Sequence, residues 1–170
     1  MRNLYIDFDG VIMDTITNSY KMIKELGIDL NDSEKVIAFY KELNWEKLLN
    51  ESLEIHDAFD EIDKLIKSGK FHVNILTHVT SLNEAEAKIN FVRQKLQEIS
   101  IITVPKSIDK ARMVQAKNSI LIDDYIGNLE KWKAAGGIGV RFSTKLNGKG
   151  FQAIAYLNQI IELVKDGEMV

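Results

Sequence analysis

An α/β fold is what this 170-residue sequence predicts: a doubly wound parallel sheet, with a small block of helices inserted after its first strand. Three observations lead there. Beyond residue 70, short apolar runs alternate with amphipathic helical stretches, the pattern of parallel strands joined by crossover helices. Residues 15–69 show helical spacing throughout and no strand. Polar residues gather at the carboxyl ends of the predicted strands, where open parallel sheets bind ligands.

Residues 3–6 form an apolar run before Asp7, consistent with a buried parallel strand. Ile16, Tyr20, Ile23 and Leu26 recur at helical spacing up to a stop at Gly27. Residues 34–43 and 45–53 read as two further helices. Phe59, Ile62, Leu65 and Ile66 then mark a helix over 56–68. "FHVNILTH" (71–78) is a strand and 82–98 a charged helix. "ISIITV" (99–104) is a strand, with a short helix from 108 to 116. "SILIDD" (119–124) is a strand, 126–135 a helix, "IGVRF" (138–142) a strand, and 151–165 a closing helix. Residues 1–14 and 70–170 therefore form a Rossmann-like core, and 15–69 a small helical cap above its carboxyl edge.

Composition narrows the function. Apolar residues make up 45% and charged residues 28%, with one proline, so a packed core is expected and a disordered linker is not. The absence of cysteine excludes disulfides, thiolate metal sites and cysteine nucleophiles, and fits a reducing, cytoplasmic setting. A net charge of −3, with both signs interspersed, does not suit a partner that is a nucleic acid polymer. No signal peptide is expected, because acids break "LYIDFDGVI", and no apolar run nears the ~20 residues that span a bilayer.

The strand ends carry the chemistry. Asp7 and Asp9, then Thr77, then Lys106 or Lys110, then Asp123 and Asp124 follow successive strands. Singly, each has an ordinary explanation: a turn, a β-branched strand residue, a surface charge, a helix cap. Their ordered coincidence does not. Clustered carboxylates without cysteine favour a hard cation with oxygen ligands, hence Mg2+. Such a cation and a lysine together neutralise a phosphoryl group. A second acid near a nucleophile can serve as general acid if its neighbours raise its pKa.

"DFDGV" at 7–11, the threonine of "NILTH", a downstream lysine and "LIDD" at 121–124 resemble the four motifs of the haloacid dehalogenase (HAD) superfamily. The order is the family's, over nearly the whole chain. The resemblance implies a phosphatase, since Asp9 stands where dehalogenases lack an acid. It implies that Asp7 attacks phosphorus and that Asp9 protonates the leaving oxygen and later activates water. Thr77 would hold a phosphoryl oxygen, and Gly10 would let the backbone approach and donate its amide. Asp7, the backbone carbonyl of Asp9 and Asp124 would bind Mg2+, with Asp123 acting through water. Lys110 is the favoured third-motif lysine because it begins a helix, and Lys106 remains open.

"ILIDDYIGNLEKWKAAGGIGVRF" is similar to the 5′(3′)-deoxyribonucleotidases and their bacterial relatives. That similarity implies a (deoxy)nucleoside monophosphate among small phosphorylated metabolites, with Phe39, Tyr40 or Trp45 of the cap against the base. His78 is a further candidate substrate contact. Sugar-phosphate phosphatases and phosphomutases share the core motifs and are the alternative. A receiver-type phospho-acceptor domain would use similar groups, but in a different chain order and without a cap.

Overall fold

A computed structural model of the chain describes residues 1–165 and 168–169. Its centre is β1 (Arg2–Ile6), where side chains alternate between faces: Leu4 and Ile6 pack on one side of the sheet and Tyr5 on the other. The strand pairs in parallel with β2 (Phe71–Val79) and with β4 (Ile120–Asp123), aligning Ile6 with both Ile75 and Ile122. Adding β3 (Ser100–Pro105), β5 (Ile138–Phe142) and β6 (Gln152–Ile154) gives an all-parallel sheet of order β3-β2-β1-β4-β5-β6. The order in which successive strands are added reverses between β1 and β4, which opens a crevice there at the carboxyl edge.

One face of the sheet is covered by α4 (Ala58–Lys67), α5 (Leu82–Lys95) and α8 (Ile160–Leu163), through Phe59, Ile62, Leu65, Val92 and Ile160. The other carries α6 (Lys110–Met113) and α7 (Ile126–Ala134), whose Leu129 and Trp132 pack on Tyr5, Leu76 and Leu121.

The helices after β1 do not form one packing unit. α1 (Thr15–Glu25), α2 (Ser33–Glu42) and α3 (Trp45–Glu51) begin at Asp14, Asp32 and Asn44, whose side chains accept the amides of Thr17, Lys35 and Lys47. Each such cap stabilises its helix by ~1 kcal/mol. These helices carry their own cluster of Leu43, Trp45 and Leu48, joined by Met22, Phe39 and Tyr40. The chain enters and leaves them along paired segments, with Asp14 N–H on the Leu53 carbonyl and Ile55 N–H on that of Ile12. Helix α4, expected in the cap, instead packs in the main core, because its apolar stripe faces β2.

The closing helix expected over 151–165 is another difference. Ile154, Leu157 and Ile160 repeat at helical spacing, yet residues 152–154 pair with the free edge of β5 as β6. A 3₁₀ turn (Leu157–Gln159), the short α8 and a two-residue strand, β7 (Val164–Lys165), follow. Edge pairing outweighs local periodicity here. No helix among the described residues is long and apolar enough to cross a membrane.

Candidate active site

The loop leaving β1 is tied down by its own backbone. Phe8 is fully buried, and its carbonyl accepts the amides of Ile12 and Met13 at 2.9 and 3.1 Å. Asp7 and Asp123 each lie one residue past the Ile6–Ile122 pairing, so register sets them side by side; the Asp7 amide donates to the Ile122 carbonyl at 2.9 Å. Lys110, 3% exposed, reaches both carboxylates at 2.7 Å. Asp123 also accepts the Tyr125 amide and the Asn128 side-chain amide, both at 2.9 Å.

Asp7, Asp123 and Asp124 each bring a carboxylate oxygen within 4.8 Å of the others. Burial, then the Asp123 charge, pushes the Asp7 pKa up to about 8, against the opposing pull of Lys110. Burial and Asp123 likewise push Asp124 up to about 7. Burial works against the Lys110 ammonium, but Asp7 and Asp123 outweigh it and hold its pKa at about 12. One buried lysine thus leaves three close carboxylates under-compensated. A donor set of hard oxygens with surplus negative charge fits a divalent cation such as Mg2+.

A second lysine stands beside the first, and the sequence reading missed it. Lys88 of α5 is fully buried, with its ammonium 2.5 Å from Asp9 and 2.7 Å from Glu84. It also reaches the Thr77 hydroxyl at 3.3 Å and the His78 carbonyl at 3.1 Å. Burial disfavours its charge, yet Asp9 and Glu84 prevail and raise its pKa. The other oxygen of Asp9 accepts the Thr15 hydroxyl at 2.7 Å. Lys88 further lies 5.0 Å from the ring centre of Trp45, so one side chain joins the sheet edge to the cap.

Thr77 lies fully buried beside Lys88, at the same edge as Asp7 and Asp9. Lys106 is exposed, and its amide donates to the Val79 carbonyl at the end of β2, so Lys110 is the lysine that enters the site. Gly10 plays a different part from the one expected. Its amide donates to the Met13 carbonyl at 2.9 Å, which occupies the donor expected for a phosphoryl oxygen. Its φ is +75°, and an added Cβ would lie 2.4 Å from an Asp124 oxygen; glycine here gives Asp124 room. His78, expected against substrate, donates from Nε2 to the Ile108 carbonyl at 2.9 Å and fastens the loop that precedes Lys110. Burial lowers its pKa, keeping the ring neutral.

The aromatic trio divides. Trp45, 4% exposed, donates from its indole nitrogen to the Tyr40 carbonyl at 3.1 Å and is stacked on the Tyr40 ring. Tyr40 bonds Ser19 through its hydroxyl, and burial raises its pKa, with Asp9 and Glu84 adding to the rise. Phe39 lines a groove with Leu26 and Ile28 that holds none of the acids of the site. Trp45 is therefore a wall of the cap, and the half-buried Tyr40 lies beside it, bonded to Ser19 of α1.

No family model and no curated protein sequence matches the chain. A HAD-superfamily hydrolase of subfamily IA from Geobacter sulfurreducens superposes with a TM-score of 0.66 at 15% identity, covering 96% of this chain and 100% of that one. The HAD-hydrolase YfnB from Bacillus subtilis, solved bound to magnesium, gives 0.65 at 14% identity, covering 95% and 97%. CbbY from Rhodobacter sphaeroides, solved in complex with phosphate, gives 0.62 at 15% identity, covering 94% and 96%. At such identities the likeness speaks for architecture, and the architecture is that of the HAD-superfamily hydrolases.

Proposed function

We propose that the chain is a Mg2+-dependent phosphomonoester hydrolase that works through an aspartyl-phosphate on Asp7. The observation that supports this most is the pairing of two groups at one sheet edge: Asp7 against Lys110, and Asp9 against Lys88. The first pair suits a nucleophile held beside a cation. The second suits a proton-handling acid beside a proton-bearing base.

In the first step an Asp7 carboxylate oxygen bonds to phosphorus and the bond from phosphorus to the leaving oxygen breaks. That oxygen takes a proton held at the contact between Asp9 Oδ2 and Lys88 Nζ. In the second step water attacks phosphorus, the bond to Asp7 breaks, and Asp9 receives the water's proton. Lys110 orients Asp7 through Oδ1 and is itself fixed by Asp123. The hydroxyl of Thr77, beside Lys88, would hold a phosphoryl oxygen. Asp7, Asp124 and the backbone carbonyl of Asp9 would hold Mg2+, with Asp123 acting through water. The bound ion supplies charge that keeps Asp7 ionised and neutralises phosphoryl oxygens.

The substrate is a small phosphorylated metabolite, and the sequence resemblance favours a (deoxy)nucleoside monophosphate. Tyr40, half-buried where Trp45 is buried, is the side chain to meet the base. The test is phosphate release from deoxynucleoside 5′- and 3′-monophosphates, sugar phosphates and p-nitrophenyl phosphate, with Mg2+ or with chelator, beside Asp7→Asn. Mg2+-dependent turnover strongest on the nucleotides, and lost in the variant, is the expected result. Preference for sugar phosphates would keep the chemistry and remove the nucleotide. No turnover of any substrate would overturn both.

A further inference from the structure

Helix α2 is unlike its neighbours. It runs Val36, Ile37, Ala38, Phe39 and Tyr40 in succession, yet none of its ten residues is buried. Phe39 and Tyr40 lean on the cap cluster, while Ile37 stays 50% exposed. Beside α2 lies an open groove of about 490 Å³ walled by Leu26, Ile28, Ala38 and Phe39, with Lys35 and Glu42 toward its two ends. Leu26 is 65% exposed and Leu30 52%, so the apolar surface continues past the helix.

The charges name the occupant. Along α2 the sequence of signs is Glu34, Lys35, then Lys41, Glu42. Lys35 and Glu42 lie symmetrically about the Ala38–Phe39 midpoint, and Glu34 and Lys41 about a point one residue earlier. A second α2 laid antiparallel about the Ala38–Phe39 midpoint puts Lys35 opposite Glu42 twice over, once on each side of the axis, while Glu34 and Lys41 fall opposite the uncharged Leu43 and Val36. A parallel one sets like charges together. Antiparallel is the arrangement a two-fold axis imposes on a helix that crosses it. Ala38, small and exposed near that axis, allows close approach of the two helices.

We propose that α2 and its groove form a self-docking surface, on which a second copy of this chain lays its own α2 antiparallel to make a two-fold dimer through the caps. Lys35 now rests 3.0 Å from Asp32 in an exposed i,i+3 pair, a contact weak enough to be exchanged on docking. None of Lys88, Asp9 and Asp7 lines the groove, so docking there leaves them uncovered.

The experiment is mass in solution against protein concentration, by sedimentation or light scattering, on the full chain. The expected result is a monomer–dimer transition. Glu42→Lys weakens it about tenfold or more, by setting two lysines together twice over. Lys35→Glu with Glu42→Lys restores it, because both signs are exchanged and complementarity returns. Ala38→Arg abolishes it. Glu42 sits in the last helical turn, where lysine is favoured by the helix dipole, so the single variant keeps its fold. A monomer at every concentration overturns the proposal. A dimer indifferent to Glu42→Lys and Ala38→Arg places the interface elsewhere and overturns it equally.

Discussion

Two buried lysines stand at one sheet edge and answer different electrostatic problems. Lys110 faces Asp7 and Asp123, with Asp124 close by, and cannot compensate all three: Asp7 is still pushed up to about 8 and Asp124 to about 7. Lys88 faces Asp9 and Glu84 alone, and its remaining donor capacity goes to Thr77 and the His78 carbonyl. One cluster is short of positive charge and open to a cation. The other sets one lysine against two acids and lies under the ring of Trp45. The same residue type thus serves a site that binds and a site that positions, and the number of acids around it makes the difference.

The comparison breaks first at Lys110. Lys110→Met is expected to lower kcat/KM by about 100–1000-fold, the range seen when one donor to a developing charge is lost. Circular dichroism and thermal melting separate this from misfolding, since unpaired buried carboxylates cost stability too. A loss under tenfold would mean that Lys110 is structural and that Lys88 holds the phosphoryl group.

Lys88 gives the next, smaller effect, and its signature depends on the leaving group. Lys88→Met combined with Glu84→Gln removes a charge of each sign, so no new buried charge is stranded on Glu84. If the Asp9–Lys88 contact holds the proton for the leaving oxygen, kcat/KM falls about 10–100-fold on alkyl phosphates. It falls much less on p-nitrophenyl phosphate, whose phenolate leaves without a proton. Equal losses on both substrates would assign Lys88 to binding rather than to proton delivery.

The two clusters also differ in how far the sequence discloses them. Asp7, Thr77, Lys110 and Asp123 follow strands or the loops after them, and parallel strands converge at one edge whatever their separation along the chain. Lys88 has no such mark. Glu84 and Lys88 stand four apart on a charged helix, the ordinary signature of a solvated pair. The available signal is that Val92 continues the same stripe: two charges on an apolar stripe imply a buried ion pair. For α4, the spacing of Phe59, Ile62 and Leu65 shows a helix with one apolar face, while its partner surface is supplied by β2 and the distant 3₁₀ turn at Leu157–Gln159. Nor does the motif "DFDG" disclose that the Gly10 amide turns to Met13, because that bond depends on the buried Phe8–Met13 loop.

The smallest effect sharpens the charge deficit at Lys110, and it is a pH dependence of stability. Asp7 ionises near pH 3.8 when unfolded and near 8 when folded without metal. Across that window the folded state binds more protons than the unfolded one, so stability of the metal-free protein falls as pH rises from about 4 to 8 and then levels. Asp124, with its folded value of about 7, acts in the same direction. Mg2+ binds the ionised carboxylates, so its stabilisation should grow over the range where stability otherwise declines. At saturating Mg2+ the rise in Tm is expected to be roughly 5–10 °C at pH 8, and clearly less at pH 6. Thermal melts at both pH values, with Mg2+ or with chelator, check this. Asp124→Asn should shrink the Mg2+ effect, whereas the Lys88/Glu84 double variant should leave it intact. A Mg2+ effect that is equal at the two pH values, or that survives Asp124→Asn, would show that the cation does not neutralise these carboxylates.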